Sequence, residues 1–401
     1  MNSPGARRVL IAPDKFKGSA TAAEVAEHVA AGLRRVAPDL ELRLLPVADG
    51  GEGTVDAAVA GGFSRHRSAV TGPVGNRVQA AFALRGETAI VEMAEASGLR
   101  QLPDGRLAPL DAGTFGTGEL MRAALGAGAK TIVLGVGGSA STDGGTGMLA
   151  ALGARFLDAD GRELPGGGGS LARLASADLS GLDSRLAAAR VVLASDVDNP
   201  LLGEHGAAAV YGPQKGAGPQ EVAALEAGLA NLVKVLSQSL GEAAQQAARA
   251  PGSGAAGGIG FGALAVLGAT RESGIEVLLD VLGFDAALEN ASLVITGEGC
   301  LDRQTLHGKA PAGVAHAARR RGVPVAAVCG RLDLAAQQLA EAGFAAAYPL
   351  TALEPDPARS IVNAAQLLER VGAQLATDLL SDFPSSSTVP PETRCDGRSH
   401  S

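Results

Sequence analysis

The sequence predicts an α/β protein whose discontinuous first domain carries a second α/β domain inserted within it. Apolar runs of strand length alternate with helical patterns near both ends of the chain, which implies right-handed βαβ units and a parallel sheet. Residues 64–93 differ, because successive β-like runs follow one another with only short turns between them. We therefore expect antiparallel hairpins there and assign them to the inserted domain.

The first domain is predicted to contain five short buried strands, each an apolar run. These strands are predicted at residues 9–14, 42–47, 293–295, 323–329 and 345–350. Helical patterns separate them, and a helix over residues 358–380 closes the domain. The middle of the chain, from residue 93 to about residue 268, reads as a glycine-rich α/β region.

These patterns set the predicted domain boundaries. Residues 1–65 and 285–380 form the discontinuous first domain, and residues 66–284 form the inserted α/β domain. Residues 381–401 are rich in Ser, Pro and Gly and have little apolar content. A segment that buries so little apolar surface cannot offset the entropy cost of ordering it, so we predict a disordered tail.

Composition is typical of a soluble cytoplasmic enzyme. The chain has 401 residues, of which 46% are hydrophobic and only 3% aromatic, so Ala, Val and Leu must supply most of the core. Its formal charge of −8 argues against nucleic-acid binding, which requires a basic surface. We find no apolar run long enough to span a bilayer and no signal-peptide pattern at the amino terminus. The three cysteines are too scattered to form a disulfide framework.

The most informative segment is Ile-Thr-Gly-Glu-Gly-Cys-Leu-Asp-Arg-Gln-Thr-Leu-His-Gly-Lys, residues 295–309. It follows a buried strand and delivers Glu298, Asp302 and Lys309 to the carboxyl end of that strand. Ligands of open α/β sheets bind in the crevice outside this end. Two carboxylates and a lysine suit a metal-bound phosphate, although a solvated turn followed by a helix-start lysine would give the same pattern.

Similar residues follow four other apolar runs. They are Asp14 with Lys17 and Ser19, then Asp49 to Glu52, then Gly137 to Asp143, and finally Asp196 with Asn199. One acidic strand end is ordinary turn chemistry. Five strand ends with acidic, glycine and hydroxyl residues indicate a shared ligand site.

Seven motifs occur in order along the chain, namely APDKFKGS, VADGGEGT, GVGGSASTDGG, DVDNPLLG, GPQKGA, GGIGFG and TGEGCLDRQTLHGKAP. With these motifs the chain resembles the bacterial glycerate kinase family, which includes the glycerate 2-kinases. The motifs extend from about Val9 to about Leu380. The resemblance implies a flavodoxin-like domain with an inserted α/β domain, an active site in the cleft between them, and ATP-dependent phosphorylation of D-glycerate to 2-phosphoglycerate. One departure is Lys15, where many members carry Ser, while Lys17 stays in register.

Phosphoryl transfer needs positioning and charge neutralisation more than covalent chemistry by the protein. We therefore expect ATP and Mg²⁺ as cofactors, and Asp196, Lys17 and Asp49 as catalytic residues. Asp196 is the favoured base, because Ser-Asp-Val-Asp-Asn directly ends an apolar strand. Helix N-capping is the alternative role for Asp49 and for Asp143.

The remaining assignments follow from the same motifs. Residues predicted to bind substrate or nucleotide are Asp14, Ser19, Gly50, Gly51, Glu52, Gly137, Gly138, Ser139, Thr142, Asp143, Asn199, Lys215, Gly257, Gly258 and Lys309. Residues predicted to bind the metal are Asp196, Glu298 and Asp302. The expected partners are glycerate and ATP, without nucleic acid or membrane, and a homodimer is compatible with the sequence.

Other functions stay open at the level of the sequence. The chain has neither the GxxxxGK[ST] loop nor the protein-kinase motifs. A dinucleotide-dependent oxidoreductase of small 2-hydroxy acids is the main alternative, because Gly135 to Ala140 satisfies GxGxxA and Asp158 lies near the ribose-binding offset. A non-catalytic sensor of small acids is a third class. For a kinase, 3-phosphoglycerate is the alternative product, since the two hydroxyls are one carbon apart.

Overall fold

The computed structural model describes residues 8–381, except for the side chains of residues 307 and 379–381. The predicted disordered tail therefore lies outside the described residues from residue 382 onward. Within the described part of the chain, no helix is long and apolar enough to cross a membrane.

The strands are numbered along the chain, and most are short. They are β1 (Arg8–Ile11), β2 (Glu41–Leu44), β3 (Ser64–Thr71), β4 (Arg77–Arg85), β5 (Thr88–Glu92), β6 (Thr131–Gly135), β7 (Arg155–Leu157), β8 (Ser176–Asp178), β9 (Arg190–Ala194), β10 (Thr270–Glu272), β11 (Ala291–Leu301), β12 (Val325–Leu332) and β13 (Ala346–Pro349).

The α-helices are numbered in the same way. They are α1 (Ala22–Val36), α2 (Thr54–Ala60), α3 (Ala94–Ser97), α4 (Phe115–Gly126), α5 (Thr146–Ala151), α6 (Ala207–Tyr211), α7 (Pro219–Leu240), α8 (Glu242–Arg249), α9 (Ala255–Val266), α10 (Gly274–Leu282), α11 (Phe284–Ala287), α12 (Ala310–Arg320), α13 (Ala336–Glu341), α14 (Pro357–Val362) and α15 (Ala364–Ser381).

The first sheet is wholly parallel, with strand order β2-β1-β11-β12-β13. Because β11, β12 and β13 are its third, fourth and fifth strands along the chain, this is the 2-1-3-4-5 order of flavodoxin-like domains. The predicted parallel-sheet fold is confirmed. Strand β11 continues to Leu301 rather than ending at Ile295, since it stays paired with β12 as far as Leu332.

The second sheet has six strands in the order β10-β9-β6-β5-β4-β3. Strands β3, β4 and β5 pair antiparallel, as the hairpin pattern of residues 64–93 predicts. Strands β5, β6, β9 and β10 are parallel. A mixed sheet inserted between β2 and β11 is consistent with the inserted α/β domain, whose boundaries we propose close to residues 65 and 285.

Helices α1 and α15 pack on one another over the first sheet and bury its outer face. The start of α1 is a capping box, in which Thr21 and Glu24 satisfy backbone N–H groups of the first turn. The predicted closing helix is interrupted, because Asn363 ends α14 before α15 begins at Ala364.

A separate hydrophobic cluster joins the two sheets. It combines side chains of α2, α10 and α12 with inward-facing residues of both sheets, such as Val192 of β9 and Val294 of β11. Gly313 of α12 lies so close to α10 that an added Cβ would be 2.5 Å from Ile275 Cγ1. Helix α10 therefore packs against the first domain, although its residues fall within the predicted inserted domain.

Candidate active site

The carboxyl ends of β2, β6 and β9 meet across the two sheets at a line of glycines. An added Cβ on Gly135 would lie 2.5 Å from the carbonyl oxygen of Gly50, and one on Gly137 would lie 2.6 Å from Cα of Gly51. Side chains at either position would push the two loops apart. These glycines therefore bring strand-end loops of both domains into backbone contact.

A cleft of about 440 Å³ opens at this contact. Predicted site residues on its wall are Lys17, Asp49, Gly50, Gly51, Gly137, Gly138, Ser139, Asp196 and Lys215. A second cavity of about 630 Å³ adjoins it, and both are lined by Lys17, Leu99 and Gly138. Four of the five strand ends singled out by sequence, those of β1, β2, β6 and β9, thus contribute residues to these two adjoining cavities.

Asp196 lies directly after β9 on the cleft wall. Its Oδ1 accepts a hydrogen bond of 3.1 Å from the backbone N–H of Gly274, and the Ser273 side chain also bonds to it. An added Cβ on Gly308 would be only 3.4 Å from its Cγ, so the loop after β11 packs on this carboxylate. Burial, together with the nearby charge of Asp49, raises the pKa of Asp196.

Asp49 and Asp14 extend this group of carboxylates towards the first sheet. Asp49 Oδ1 accepts a hydrogen bond of 3.1 Å from Gly51 N–H, which closes the turn after β2. Asp14 follows β1 and is buried. Burial raises the pKa of Asp14 to about 7. The charge of Asp49 makes the second largest contribution to this rise, and the charge of Glu298 makes a smaller one. Asp14, Asp49 and Asp196 therefore lie close enough to influence one another electrostatically.

Glu298, Asp302 and Lys309 form an internal ion pair network at the end of β11. Lys309 Nζ lies 3.3 Å from Glu298 Oε2 and 3.7 Å from Asp302 Oδ1, and Thr305 donates its hydroxyl proton to Glu298. Desolvation raises the pKa of Glu298. Among residues 8–381, no group of three His, Cys, Asp or Glu side chains is placed to hold a metal ion. Asp196, Glu298 and Asp302 do not form such a group, Lys309 pairs with Glu298 and Asp302, and their assignment to the metal stays a prediction.

The loop after β1 brings a cation to the wall between the two cavities. Lys17 is exposed there, and within the described residues its ammonium has no salt-bridge partner. Ser19 is also exposed and donates its hydroxyl to the Phe16 carbonyl, so it closes the turn. Lys15 donates to the carbonyl of Glu52 and ties the loops after β1 and β2 together.

Lys215 is a buried cation on the opposite side of the cleft. Its ammonium donates to the Ser141 carbonyl and lies 3.5 Å from Ser139 Oγ. Burial lowers the pKa of Lys215 to about 7, opposed in part by the charge of Asp143. Ser139 also donates to the carbonyl of Ala256, at 3.3 Å. An anion in the cleft would favour the charged form of Lys215.

Asp143 does not line the cleft, and its surroundings are those of a residue that stabilises the fold. It is fully buried, and its carboxylate accepts four hydrogen bonds: from the backbone N–H and hydroxyl of Thr114 and from the N–H groups of Gly145 and Gly147. Burial raises its pKa, and those hydrogen bonds oppose the rise. This arrangement matches the helix-capping alternative, because Asp143 holds the start of α5.

Thr142, Gly257 and Gly258 also lie outside the cleft wall. An added Cβ on Gly257 would be 2.0 Å from the Ser141 carbonyl oxygen, and one on Gly258 would be 2.7 Å from Cα of Gly144. Both glycines thus allow α9 to contact the backbone beside Thr142. Close backbone packing, rather than an approach to phosphate, accounts for them.

Asn199 is hydrogen-bonded to Tyr211, a cleft residue that was not predicted from the sequence. Its side-chain oxygen accepts a hydrogen bond of 2.6 Å from the hydroxyl of Tyr211, and Tyr211 and Gln214 both line the cleft. Gln214 directly precedes Lys215 in GPQKGA, so the motif itself carried that signal. Tyr211 is one of only two tyrosines in the chain, and its scarcity was the available clue.

Glu92 was missed as well, although it follows an apolar strand like the predicted carboxylates. It is buried at the end of β5 and accepts hydrogen bonds from the N–H groups of Gly53 and Val55 at the start of α2. Desolvation raises its pKa to about 7.

The residues behind the oxidoreductase alternative have other roles. Gly135 and Gly137 accommodate the loop after β2 rather than a pyrophosphate, and no helix follows directly. Asp158 closes an exposed turn, where its Oδ1 accepts from the N–H groups of Asp160 and Arg162. The structure therefore contradicts a dinucleotide fingerprint at this position.

Fold and cleft together define an α/β protein with a cleft that presents both carboxylates and lysines, and comparison with known proteins supplies the family. A model of the glycerate kinase family matches residues 9–380. A Bacillus subtilis protein named glycerate kinase is 43% identical over 375 residues, covering 93% of this chain and 97% of the relative. The chain belongs to the glycerate kinase family.

Two further matches agree with this assignment. An Escherichia coli K12 protein named glycerate 2-kinase is 44% identical over 328 residues, covering 81% of this chain and 85% of the relative. A crystal structure from Salmonella typhimurium LT2, provisionally named glycerate kinase 2, superimposes with a TM-score of 0.82 at 42% identity and covers 94% of this chain and 99% of that one. The similarity therefore includes both domains.

Proposed function

We propose that this chain catalyses ATP-dependent phosphorylation of D-glycerate, giving 2-phosphoglycerate and ADP. The observation that carries the proposal is the wall of the cleft, which presents the carboxylates of Asp49 and Asp196 together with Lys17 and Lys215. Family membership supports the same reaction, because related proteins are named glycerate kinase and glycerate 2-kinase.

In this reaction the C2 hydroxyl oxygen of glycerate attacks the γ-phosphorus of ATP. The bond from that phosphorus to the β,γ-bridging oxygen breaks, and the hydroxyl proton passes to Asp196. Burial and the charge of Asp49 raise the pKa of Asp196, which makes it a stronger base than an exposed aspartate. The hydrogen bond from Gly274 fixes one carboxylate oxygen and orients the group.

Magnesium belongs to the proposal, and the cleft offers suitable donors. Mg²⁺ is commonly held by one or two carboxylates together with phosphate oxygens and waters. Asp49 with Asp14 or Asp196 can supply those carboxylates, and burial, with a further contribution from the charge of Asp49, raises the pKa of both Asp14 and Asp196. When bound, the ion neutralises charge on the phosphate oxygens.

The two lysines have different positions and therefore different proposed roles. Lys17 lines the cleft with Asp196, is exposed and has no salt-bridge partner among the described residues, so we assign it to the phosphoryl group in transfer. Lys215 lines only the cleft of about 440 Å³, beside Gln214, so we assign it to the glycerate carboxylate. A lysine ammonium is a compact charge suited to either anion.

The test is incubation of the protein with ATP, Mg²⁺ and D-glycerate, with ADP measured by a coupled assay and the product identified by NMR. We expect glycerate-dependent ADP formation and a phosphorus resonance coupled to the C2 proton. Coupling to the C3 protons instead would establish 3-phosphoglycerate as the product. ADP release that does not depend on glycerate would contradict the proposal.

Two finer points accompany the proposed function. We place the enzyme in the cytoplasm, where ATP is available and cysteines stay reduced. The sequence is compatible with a homodimer, and sedimentation velocity at micromolar protein concentration measures the oligomeric state.

A further inference from the structure

A groove of about 860 Å³ runs between α10 and α12, outside the cleft already described. Its floor is apolar and includes Ile275, Leu279 and Leu306. The rim carries exposed charged groups, among them Glu276 and Asp280, which lie one helical turn apart on α10. Such a combination, with an apolar floor and a few polar groups, is typical of small-molecule sites of 300–1,000 Å³.

One end of the groove borders Asp196. Gly308 and Ser273 line the groove, and both also contact this carboxylate. An added Cβ on Gly308 would be 3.4 Å from Cγ of Asp196, and Gly274, the first residue of α10, donates to its Oδ1 at 3.1 Å. Because Asp196 also lines the cleft of about 440 Å³, the carboxylate lies at the boundary between the two cavities.

We propose that the adenosine part of ATP binds in the groove between α10 and α12, while D-glycerate binds in the cleft on the other side of Asp196. This inference rests on the proposed function. The triphosphate then extends past Gly308 towards Asp196, so that the γ-phosphorus reaches the glycerate hydroxyl at the boundary. Purine faces are apolar and suit the floor, and the carboxylates of Glu276 and Asp280 can accept hydrogen bonds from ribose hydroxyls or from the purine amino group.

The neighbouring cavity of about 630 Å³ is a poorer site for adenosine. Its lining includes neither Asp196 nor Ser273 and Gly308, the residues that contact this carboxylate, so it does not border the proposed base. The groove also has the larger volume, which accommodates a purine and a ribose together.

Photolabelling of the unmodified protein tests the location directly. The protein is irradiated with 8-azido-ATP, digested, and the labelled peptide is identified by mass spectrometry, with excess ADP as competitor. We expect ADP-sensitive label in peptides from α10, α12 or α13. ADP-sensitive label confined to residues 14–24 or 92–101, which line the other cavity, would overturn the proposal.

A filled groove supplies the second test. Ala312 is half-buried on the groove wall, and Ala312→Trp places an indole in the space assigned to adenosine. Ala340 is exposed on α13 and does not line the groove, so Ala340→Trp is the matched control. We expect Ala312→Trp to weaken ADP binding by calorimetry tenfold or more and to raise the ATP KM similarly, with the glycerate KM within twofold. The control should bind ADP like the parent.

Each outcome distinguishes this inference from the proposed function. Parent-like ADP affinity in a folded Ala312→Trp protein would reject the groove, even if glycerate kinase activity is present. Loss of ADP binding in that variant, in a parent protein that phosphorylates no glycerate, would support the groove and reject the proposed function. If Ala312→Trp does not fold, ADP binding is measured instead for the double variant Glu276→Ala with Asp280→Ala, whose two side chains are exposed. Unchanged ADP affinity in that variant, together with photolabel outside the groove, would reject the groove as the adenosine site.

Discussion

The loop after β6 and the loop after β9 look alike in sequence, yet their aspartates have opposite environments. Asp143 is fully buried and accepts four hydrogen bonds. Asp196 lines the cleft, and its one backbone hydrogen bond comes from Gly274. Burial raises the pKa of both carboxyls, so the pKa alone does not separate them.

The difference lies in how many acceptor positions remain for a substrate. A carboxylate has about four lone-pair positions, and the donors around Asp143 use that number. Asp196 retains positions that face the cleft and therefore can take a proton or bind a cation. Hydrogen-bond saturation thus distinguishes the structural aspartate from the one assigned to chemistry.

Asp196→Asn is expected to have the largest effect on catalysis. The amide keeps the shape of the side chain but cannot accept the hydroxyl proton, so kcat should fall by about 10²–10⁴-fold. The melting temperature should change little, since few contacts depend on the charge. Asp198→Asn is the matched control, because Asp198 is exposed two residues later and pairs with Arg271 at 2.7 Å. Steady-state kinetics in which both variants match the parent would remove Asp196 from the reaction.

Asp143→Asn should produce the reverse pattern. The amide NH₂ would face N–H donors that now bond to a carboxylate oxygen, and hydrogen bonds to a charged group contribute about 1.5–3 kcal/mol each. We expect the free energy of unfolding to fall by about 3 kcal/mol in urea titrations, with kcat at saturating substrates within a few-fold of the parent. A stability equal to that of the parent would contradict the structural role.

Glu92 is an intermediate case, because it is buried and partly hydrogen-bonded at the start of α2. Its pKa in the folded protein, about 7, lies above its ordinary value of 4.5, so the folded state retains a proton that the unfolded chain releases between these pH values. The stability contributed by Glu92 is therefore complete below about pH 4.5 and is lost as the pH rises through 7, by roughly 3 kcal/mol in all.

Glu92→Gln cannot titrate, so its unfolding free energy should fall less between pH 5 and pH 8 than that of the parent. Urea titrations at both pH values measure this difference. The exposed Glu27→Gln serves as the control and should follow the parent. Parallel pH dependence of Glu92→Gln and parent would show that Glu92 titrates normally.

Lys215→Met is expected to have the smallest effect. Lys215 donates a hydrogen bond to the Ser141 carbonyl in the loop after β6 and also lines the cleft with Asp196. Removing the cation should raise the glycerate KM about tenfold, or about 1.4 kcal/mol, with the ATP KM nearly unchanged. The exposed Lys234→Met is the control. A rise confined to the ATP KM would assign Lys215 to the nucleotide instead.

Much of the fold could be predicted from the sequence because its signals are local. Apolar runs beside Asp14, Asp49 and Asp196 mark strand ends, and the carboxyl ends of parallel strands meet at one edge. The same reasoning could not show that Glu298 and Asp302 share Lys309 as an ion-pair partner, because no local pattern encodes that pairing.

What the sequence could not supply was the pairing between distant segments. Gly257 and Gly258 resemble a phosphate loop, yet their neighbours are residues 141–144, more than a hundred positions earlier. Asp143 and Asp196 follow strands in similar contexts, and two of the four hydrogen bonds that set Asp143 apart come from Thr114, 29 positions earlier. Hydrogen-bond partners of this kind depend on tertiary structure, which periodicity and spacing do not encode.

The most direct test of the division between the two loops is the double variant Asp143→Asn with Asp196→Asn, compared with each single variant for kcat and for the urea midpoint. Independent sites should add. We expect the double variant to have the kcat of Asp196→Asn and the midpoint of Asp143→Asn. A fully folded Asp143→Asn protein whose kcat is as low as that of Asp196→Asn would contradict the account.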